Sequence, residues 1–309
     1  VNESLTAIGL LWTIADRGNF DSSVDRVLDK LSSLALDDRP EVRNCAVNTL
    51  FSCIIGVGPR FSEAEWKSCF CEVVFGVLNN VDEKCADGGS TKKTESTKNS
   101  TRYKVSVHHS RDSSAKQWAT TEVIALRGLE RVLRQYFLYL VANCMKENDN
   151  WFGDAWTQIL LLSLKCATKK GDRETLDMRN VGIDLLILCT QLSCRAGIGA
   201  AVNHARVGTD MEVVNGALRK VRKVVEVGGD EIKANESTGS NVDLKNRENL
   251  FLEAFTSLDE FRVHLESEMA AQSTPSGIAR MDSTMMQVVN KLSQGMSKVY
   301  ECCQNHEMK

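Results

Sequence analysis

The sequence is short of helix breakers and of strand-forming aromatics, with three prolines and four tyrosines among 309 residues. Combined with abundant Leu, Ala, Val and charged residues, that scarcity points to an all-α protein and away from a β-sheet fold. No apolar run reaches the ~18–20 residues that a membrane-spanning helix needs, and no signal peptide is visible. A net charge of −3 excludes a global electrostatic pull toward nucleic acid. Eleven cysteines are present, but the number is odd and the spacing irregular, so a secreted disulfide framework is not expected. Cys45, Cys53, Cys166 and Cys189 fall among apolar helical positions and read as buried free thiols. Asn2, Asn99 and Asn235 open N-x-S/T triplets, which arise by chance and mean nothing in a cytosolic chain. Val1 in first place reads as the start of a fragment of a longer chain.

What is present is helical periodicity over a 42% hydrophobic composition, ample for a core. The stretch Asp37 to Gly58 is the clearest case. Pro40 suits the first turn of a helix, and Asp37 or Asp38 is placed to cap it. Val42, Ala46, Leu50, Cys53 or Ile54, and Val57 recur at three- and four-residue steps as one apolar stripe. Gly56, Gly58 and Pro59 end it. An Asp, four residues, then Val42-Arg43 is the inter-helix turn of a HEAT repeat, in which the Asp and Arg can pair between adjacent turns. The fold expected is a HEAT/armadillo-like α-solenoid of antiparallel helix pairs, carrying a binding surface and no active site.

Read in order, residues 2–16 form a helix, 22–36 and 37–58 an antiparallel pair, and 62–78 a third helix whose Ser62 and Glu65 match a capping box. Residues 1–81 are thus one block of repeats. Residues 82–107 are rich in Ser, Thr, Lys, Asn and Gly, too polar to offset the entropy of ordering, and read as a disordered insertion. Repeats resume over 108–227, with helices at 113–141, 151–168, 174–195 and 212–227. Met178-Arg179 echoes Val42-Arg43, and a second copy of the signature supports a repeat architecture. A polar linker over 228–246 precedes irregular helices and a tail over 247–309.

With these segments in view, the chain resembles a known family. LTAIGLLWTIAD at residues 5–16, the Asp37–Gly58 motif, EVVFGVL at 72–78 and HHSRDSSAKQWATTEVIALRGLERVL at 108–133 are similar to the Mon-two family. These are large HEAT-repeat proteins of the Golgi and endosomes, related to the BIG and GBF exchange factors for Arf GTPases but without their Sec7 domain. The resemblance covers roughly residues 1–200; its most specific part holds His108, His109, Arg111, Asp112 and Trp118. It implies a scaffold on the cytoplasmic face of trans-Golgi network and endosome membranes, acting with a Dopey-type protein, a phospholipid flippase and Arf-like small GTPases. Two other readings stay open: the regulatory HEAT region of a BIG-type exchange factor, and a general HEAT adaptor.

No stretch carries the marks of catalysis. His108, His109, Ser110, Arg111 and Asp112 are neighbours in sequence, but a Ser-His-Asp site needs convergence in space and an oxyanion hole. A helix entry capped by Asp112 or Ser113 is the plainer reading. Cys302, Cys303 and His306 fall short of the four paired ligands of structural zinc. Gly88-Gly89 and Gly228-Gly229 lack the Lys-Ser/Thr of a phosphate loop. No cofactor, metal or nucleic-acid partner is expected. Arg127, Arg131 and Arg134 share one helix face. They either pair with acidic groups on a neighbouring helix or meet an acidic partner or anionic lipid. Arg219, Lys220, Arg222 and Lys223 read as a solvated surface. The tryptophans at 12, 66, 118 and 156 sit on apolar stripes and belong to the core.

Overall fold

The computed structural model describes residues 2–17, 23–88, 113–145, 150–169, 176–201, 240–272 and 283–307. Among them there is no strand, and the fold is an all-α solenoid. Its helices are α1 (Asn2–Arg17), α2 (Ser23–Leu34), α3 (Pro40–Val57), α4 (Glu63–Ser68), α5 (Phe75–Gly88), α6 (Ser114–Cys144), α7 (Trp151–Ala167), α8 (Leu176–Ala201), α9 (Ser240–Gln272) and α10 (Ser283–Glu307). A π-helical turn, Cys69–Val74, joins α4 to α5.

Packing arranges them in two rows. In one, α1 lies on α3, α3 on α6, α6 on α8 and α8 on α10. The other is formed by α2, the π turn, α7 and α9: α2 touches the π turn, Phe70 of that turn meets Trp151 and Phe152 of α7, and α7 packs on α9. The rows join where α2 packs on α3, α5 on α6, α7 on α8 and α9 on α8. One continuous core lies between them. Its middle is α3, whose Val42, Ala46, Val47, Leu50, Phe51 and Ile54 are fully buried. Trp66 gathers an aromatic cluster, with ring centres 5.1 Å from Phe61 and 4.9 Å from Tyr136. Gly58 is required beside it, because a β-carbon there would lie 2.8 Å from the Tyr136 ring and 2.9 Å from Trp66.

Helix starts follow local chemistry. Pro40 opens α3 in the first turn. The Ser62 side chain accepts from the Glu65 N–H while the Glu65 carboxylate accepts from the Ser62 N–H, a complete capping box. Ser113 caps α6 by accepting from the Lys116 N–H at 3.2 Å.

Several expectations need revision. Neither Asp37 nor Asp38 caps α3: its N-cap position is Arg39, with no side-chain cap bond. The Asp37 carboxylate instead accepts from the Arg39 N–H at 2.9 Å and from the Arg39 guanidinium at 2.7 Å. The helix before the insertion runs to Gly88 rather than stopping near residue 78, because Val81 is fully buried and Asp82 bonds Lys165 of α7 at 2.6 Å. Residues 240–246, expected as linker, begin α9. The final helices, expected to be irregular, are the regular helices α9 and α10, both packed on α8. Most of the polar insertion (89–107), the cluster His108, His109, Arg111 and Asp112, and the 212–227 helix with Arg219 and Lys223 lie outside the described residues.

Candidate partner-binding face

The two rows of helices expose long outer faces, and that of α6 concentrates charge. Helix periodicity puts Arg127, Arg131 and Arg134 on one side of this 31-residue helix. All three are exposed. Inside the ladder lies Glu130, only 9% exposed. Arg127 Nη1 donates to Glu130 Oε2 at 2.7 Å, and Arg134 Nη2 donates to Glu130 Oε1 at 2.7 Å. Burial works against the charge on Glu130, but the hydrogen bonds from Arg134 and Arg127 more than offset it and hold its carboxyl below the ordinary range.

The ladder extends across helices. Arg127 Nη2 pairs with Asp184 Oδ2 of α8 at 2.8 Å, and Lys291 of α10 pairs with the other oxygen, Asp184 Oδ1, at 2.9 Å. Three helices of one row are thereby tied by one network. Burial acts on Arg127 too, and its bonds to Glu130 and Asp184 prevail, raising its pKa. Arg131 differs from its neighbours: Nη2 donates to the Ser52 hydroxyl of α3 at 3.3 Å, and no carboxylate pairs with it among the described residues. Leu138 continues this face one turn along, 57% exposed. The face therefore offers one uncompensated guanidinium, two compensated ones and an exposed leucine.

The repeat-signature residues do different work. Val42 is fully buried, and Arg43 is 1% exposed. Its Nη1 donates to the Asp38 carbonyl at 2.9 Å, its Nε donates to the Thr121 hydroxyl at 2.9 Å, and its guanidinium lies 4.1 Å from the centre of the Trp118 ring. Burial pulls its pKa down from the ordinary arginine value. Asp37 receives Arg43 only through its backbone carbonyl, at 3.4 Å; its carboxylate belongs to Arg39. The second copy repeats the device. Arg179 is buried, donates from Nε to the Ala167 carbonyl at 3.2 Å, and pairs through Nη2 with Glu268 of α9 at 2.8 Å. In both copies an arginine near the start of one helix bonds carbonyls of the segment before it: Arg179 reaches Ala167 at the end of α7, a group that a helix leaves unpaired, and Arg43 reaches Asp37 and Asp38 in the turn before α3.

Sequence reasoning missed Glu130, Asp184, Lys291 and Glu122. Glu130 was findable, since it stands three residues after Arg127 and four before Arg134. Asp184 and Lys291 carry no local signal, because their pairing is set by packing. Glu122 is buried on the inner side of α6, with Lys169 Nζ at 3.6 Å from Oε2 and the Cys166 thiol donating to Oε1 at 3.9 Å.

A two-row helical stack with an outward charged ladder places the described residues in the all-α solenoid class. The family model described as "C-terminal region of Mon2 protein" matches residues 18–170. The chain is 30% identical over 209 residues to "Protein MON2 homolog" of Drosophila melanogaster, covering 57% of this chain and 11% of that one. It is 33% identical over 188 residues to the Xenopus laevis protein of the same name, covering 48% and 11%, and 30% identical over 199 residues to the Homo sapiens one, covering 52% and 11%. The chain belongs to the Mon2 family. Its matched part spans about a tenth of the length of these relatives. No solved structure gives a significant match.

Proposed function

We propose that this chain is a non-enzymatic scaffold segment in endosome-to-Golgi and trans-Golgi membrane traffic. It works at the cytoplasmic face of trans-Golgi network and endosome membranes, through contacts with a Dopey-type protein, a phospholipid flippase and Arf-like GTPases. Family membership supports the trafficking part of this reading. The observation that carries the scaffolding part is the outward face of α6, where Arg131 lacks a carboxylate partner among the described residues and Leu138 is exposed nearby. A guanidinium without a carboxylate is free to make a charge-assisted bond with an acidic partner, and an exposed leucine beside it supplies apolar area. Stacked helix pairs suit the task because they display such faces along an extended surface.

The test is binding by the longest natural form of the protein with Arg131→Glu and Leu138→Asp combined. Loss of one co-purifying partner with unchanged thermal stability supports the reading. Unchanged recovery of every partner contradicts the choice of face, and recovery of exchange-factor substrates alone moves the protein to the exchange-factor branch.

A further inference from the structure

The boundary between the pair α5/α6 and the pair α7/α8 changes character along its length. One end is aromatic: Phe70 of the π turn meets Trp151 and Phe152 of α7 at ring-centre distances of 6.0 and 6.1 Å, and Phe137 of α6 lies 5.0 Å from Trp156. The other end is charged. Lys165 Nζ of α7 pairs with Asp82 Oδ2 of α5 at 2.6 Å, and Lys169 Nζ, just past the end of α7, lies 3.6 Å from Glu122 Oε2 of α6. Glu122 and Phe137 stand fifteen residues apart on α6, and Phe152 and Cys166 fourteen apart on α7. At about 1.5 Å per residue, the two ends are separated by roughly 20 Å.

The charged end is thinly built. The backbones of α6 and α7 touch lightly and those of α5 and α7 barely at all, since α5 packs on α6 and α7 on α8. Two lysine side chains, four residues apart in sequence, span the gap. Beneath them Glu122 is 1% exposed, and its Oε2 has no hydrogen-bond partner; the Lys169 ammonium is the cation that faces it. The other oxygen receives the Cys166 thiol at 3.9 Å, and the Cys85 thiol of α5 bonds the same carboxylate. A carboxylate buried without a cation is costly, so the charge on Lys169 holds this end shut. The side chains of Lys165 and Lys169 are 60% and 35% exposed, so solvent reaches both ammoniums while Glu122 and Cys166 stay covered. The end of α7 is fixed to α8, because Gly182 brings the two backbones together at Ala167.

We propose that Lys165 and Lys169 are a modification-sensitive latch: acylation of their Nζ atoms opens the charged end of this boundary while the aromatic end stays closed. The co-reactant is an acyl thioester. The deprotonated Nζ attacks the thioester carbonyl, the N–C amide bond forms, the C–S bond breaks, and the thiol leaves with the proton released from nitrogen. The amide carries no charge. Glu122 and Asp82 then lose their cations, and water entering between α5 and α7 solvates both carboxylates. The Arg127–Asp184 pair keeps α6 joined to α8 as that gap widens. Opening changes the angle between the two helix pairs, and with it the curvature of the solenoid surface.

The test uses the longest natural form of the protein, produced with Lys165→acetyllysine and Lys169→acetyllysine together. Maleimide labelling of each cysteine at neutral pH is followed by mass spectrometry. The expected result is that Cys166 labels at least tenfold faster than in the unmodified protein, while Cys69 and Cys189, buried elsewhere, stay as protected as before. Lys165→Arg with Lys169→Arg retains both charges and should leave Cys166 as slow as in the unmodified protein. Unchanged Cys166 labelling in the acetyllysine form overturns the proposal. So does acceleration of Cys69, Cys166 and Cys189 together, which is loss of the fold rather than opening of one end. Fast Cys166 labelling in the arginine form also overturns it, because closure would then depend on side-chain shape and not on charge.

Discussion

The guanidinium of Arg43 lies 4.1 Å from the centre of the Trp118 ring, tying the start of α3 to the start of α6. The same guanidinium holds the Asp38 carbonyl and the Thr121 hydroxyl. Removing it leaves those groups buried without their donor. Arg43→Ala is expected to lower the unfolding free energy by about 3 kcal/mol, the range for losing charge-assisted buried hydrogen bonds. Urea unfolding measures it. Arg43→Lys should recover less than half, since an ammonium cannot serve both acceptors and stack on the ring. A wild-type midpoint for Arg43→Ala would show that the residue is dispensable.

Arg179 should behave in parallel. It holds the Ala167 carbonyl and Glu268, so Arg179→Ala is expected to cost ~2–3 kcal/mol. Because the two arginines bond different groups, the double variant should show near-additive loss. Strong non-additivity would mean that the two turns unfold as one coupled unit.

Gly182 brings α8 against the backbone of α7. A β-carbon there would lie 2.5 Å from the Ala167 nitrogen and 2.7 Å from the Ser163 carbonyl oxygen, atoms that cannot rotate away. Gly182→Ala should destabilise by about 1–3 kcal/mol through overpacking. At Gly76 a β-carbon would meet nothing within 4 Å, so Gly76→Ala should stabilise by up to ~1 kcal/mol from helix propensity alone. Thermal melts of the pair give opposite shifts; shifts of the same sign would contradict the packing described.

The acid limb of stability carries the mark of Asp37. Its hydrogen bonds from the Arg39 side chain hold its pKa at about 2, against an ordinary 3.8. A group depressed on folding contributes stability above its unfolded pKa and loses it as pH falls through the folded value. Stability should therefore decline between pH 3.8 and about 2, and Asp37→Asn should flatten that part of the curve. Glu130, also depressed, acts in the same direction. An unchanged slope in Asp37→Asn would show that its bonds to Arg39 persist in the unfolded chain.

Thiol chemistry reads the core directly. Burial pushes the Cys166 thiol up to about 12 and raises those of Cys69 and Cys189 further. A thiol reacts as its thiolate, so these three should resist maleimide at neutral pH until the protein unfolds. Cys71 is exposed and should label early. Site-resolved mass spectrometry over a labelling time course distinguishes them, and early labelling of Cys189 would contradict its burial.

Much of the fold was legible because its signals are local. Pro40, the Ser62–Glu65 box and the Ser113 cap are read from a few adjacent residues, and the stripes of α3 and α6 from their periodicity. The Asp37 cap was misread because a nearby arginine competes for the same carboxylate more effectively than the backbone of the first turn. The polar insertion was begun too early because Val81 and Asp82 owe their order to partners on distant helices, which composition does not reveal. The same reason hid the outer network: Arg127 announces Glu130 three residues on, whereas Asp184 and Lys291 meet it only through packing. The last two segments were legible as helices, but their regularity was not, because the faces of α9 and α10 are set by packing against α8 rather than by a local signal.

The most direct test of the scaffold reading is affinity purification of the longest natural form from cells, with quantitative mass spectrometry, comparing wild type with Arg131→Glu/Leu138→Asp. Recovery of a Dopey-type protein and a phospholipid flippase, with at least one of them depleted in the variant, is the expected result. Recovery of only nuclear-transport or phosphatase partners, or the same trafficking partners at full yield in the variant, would contradict it.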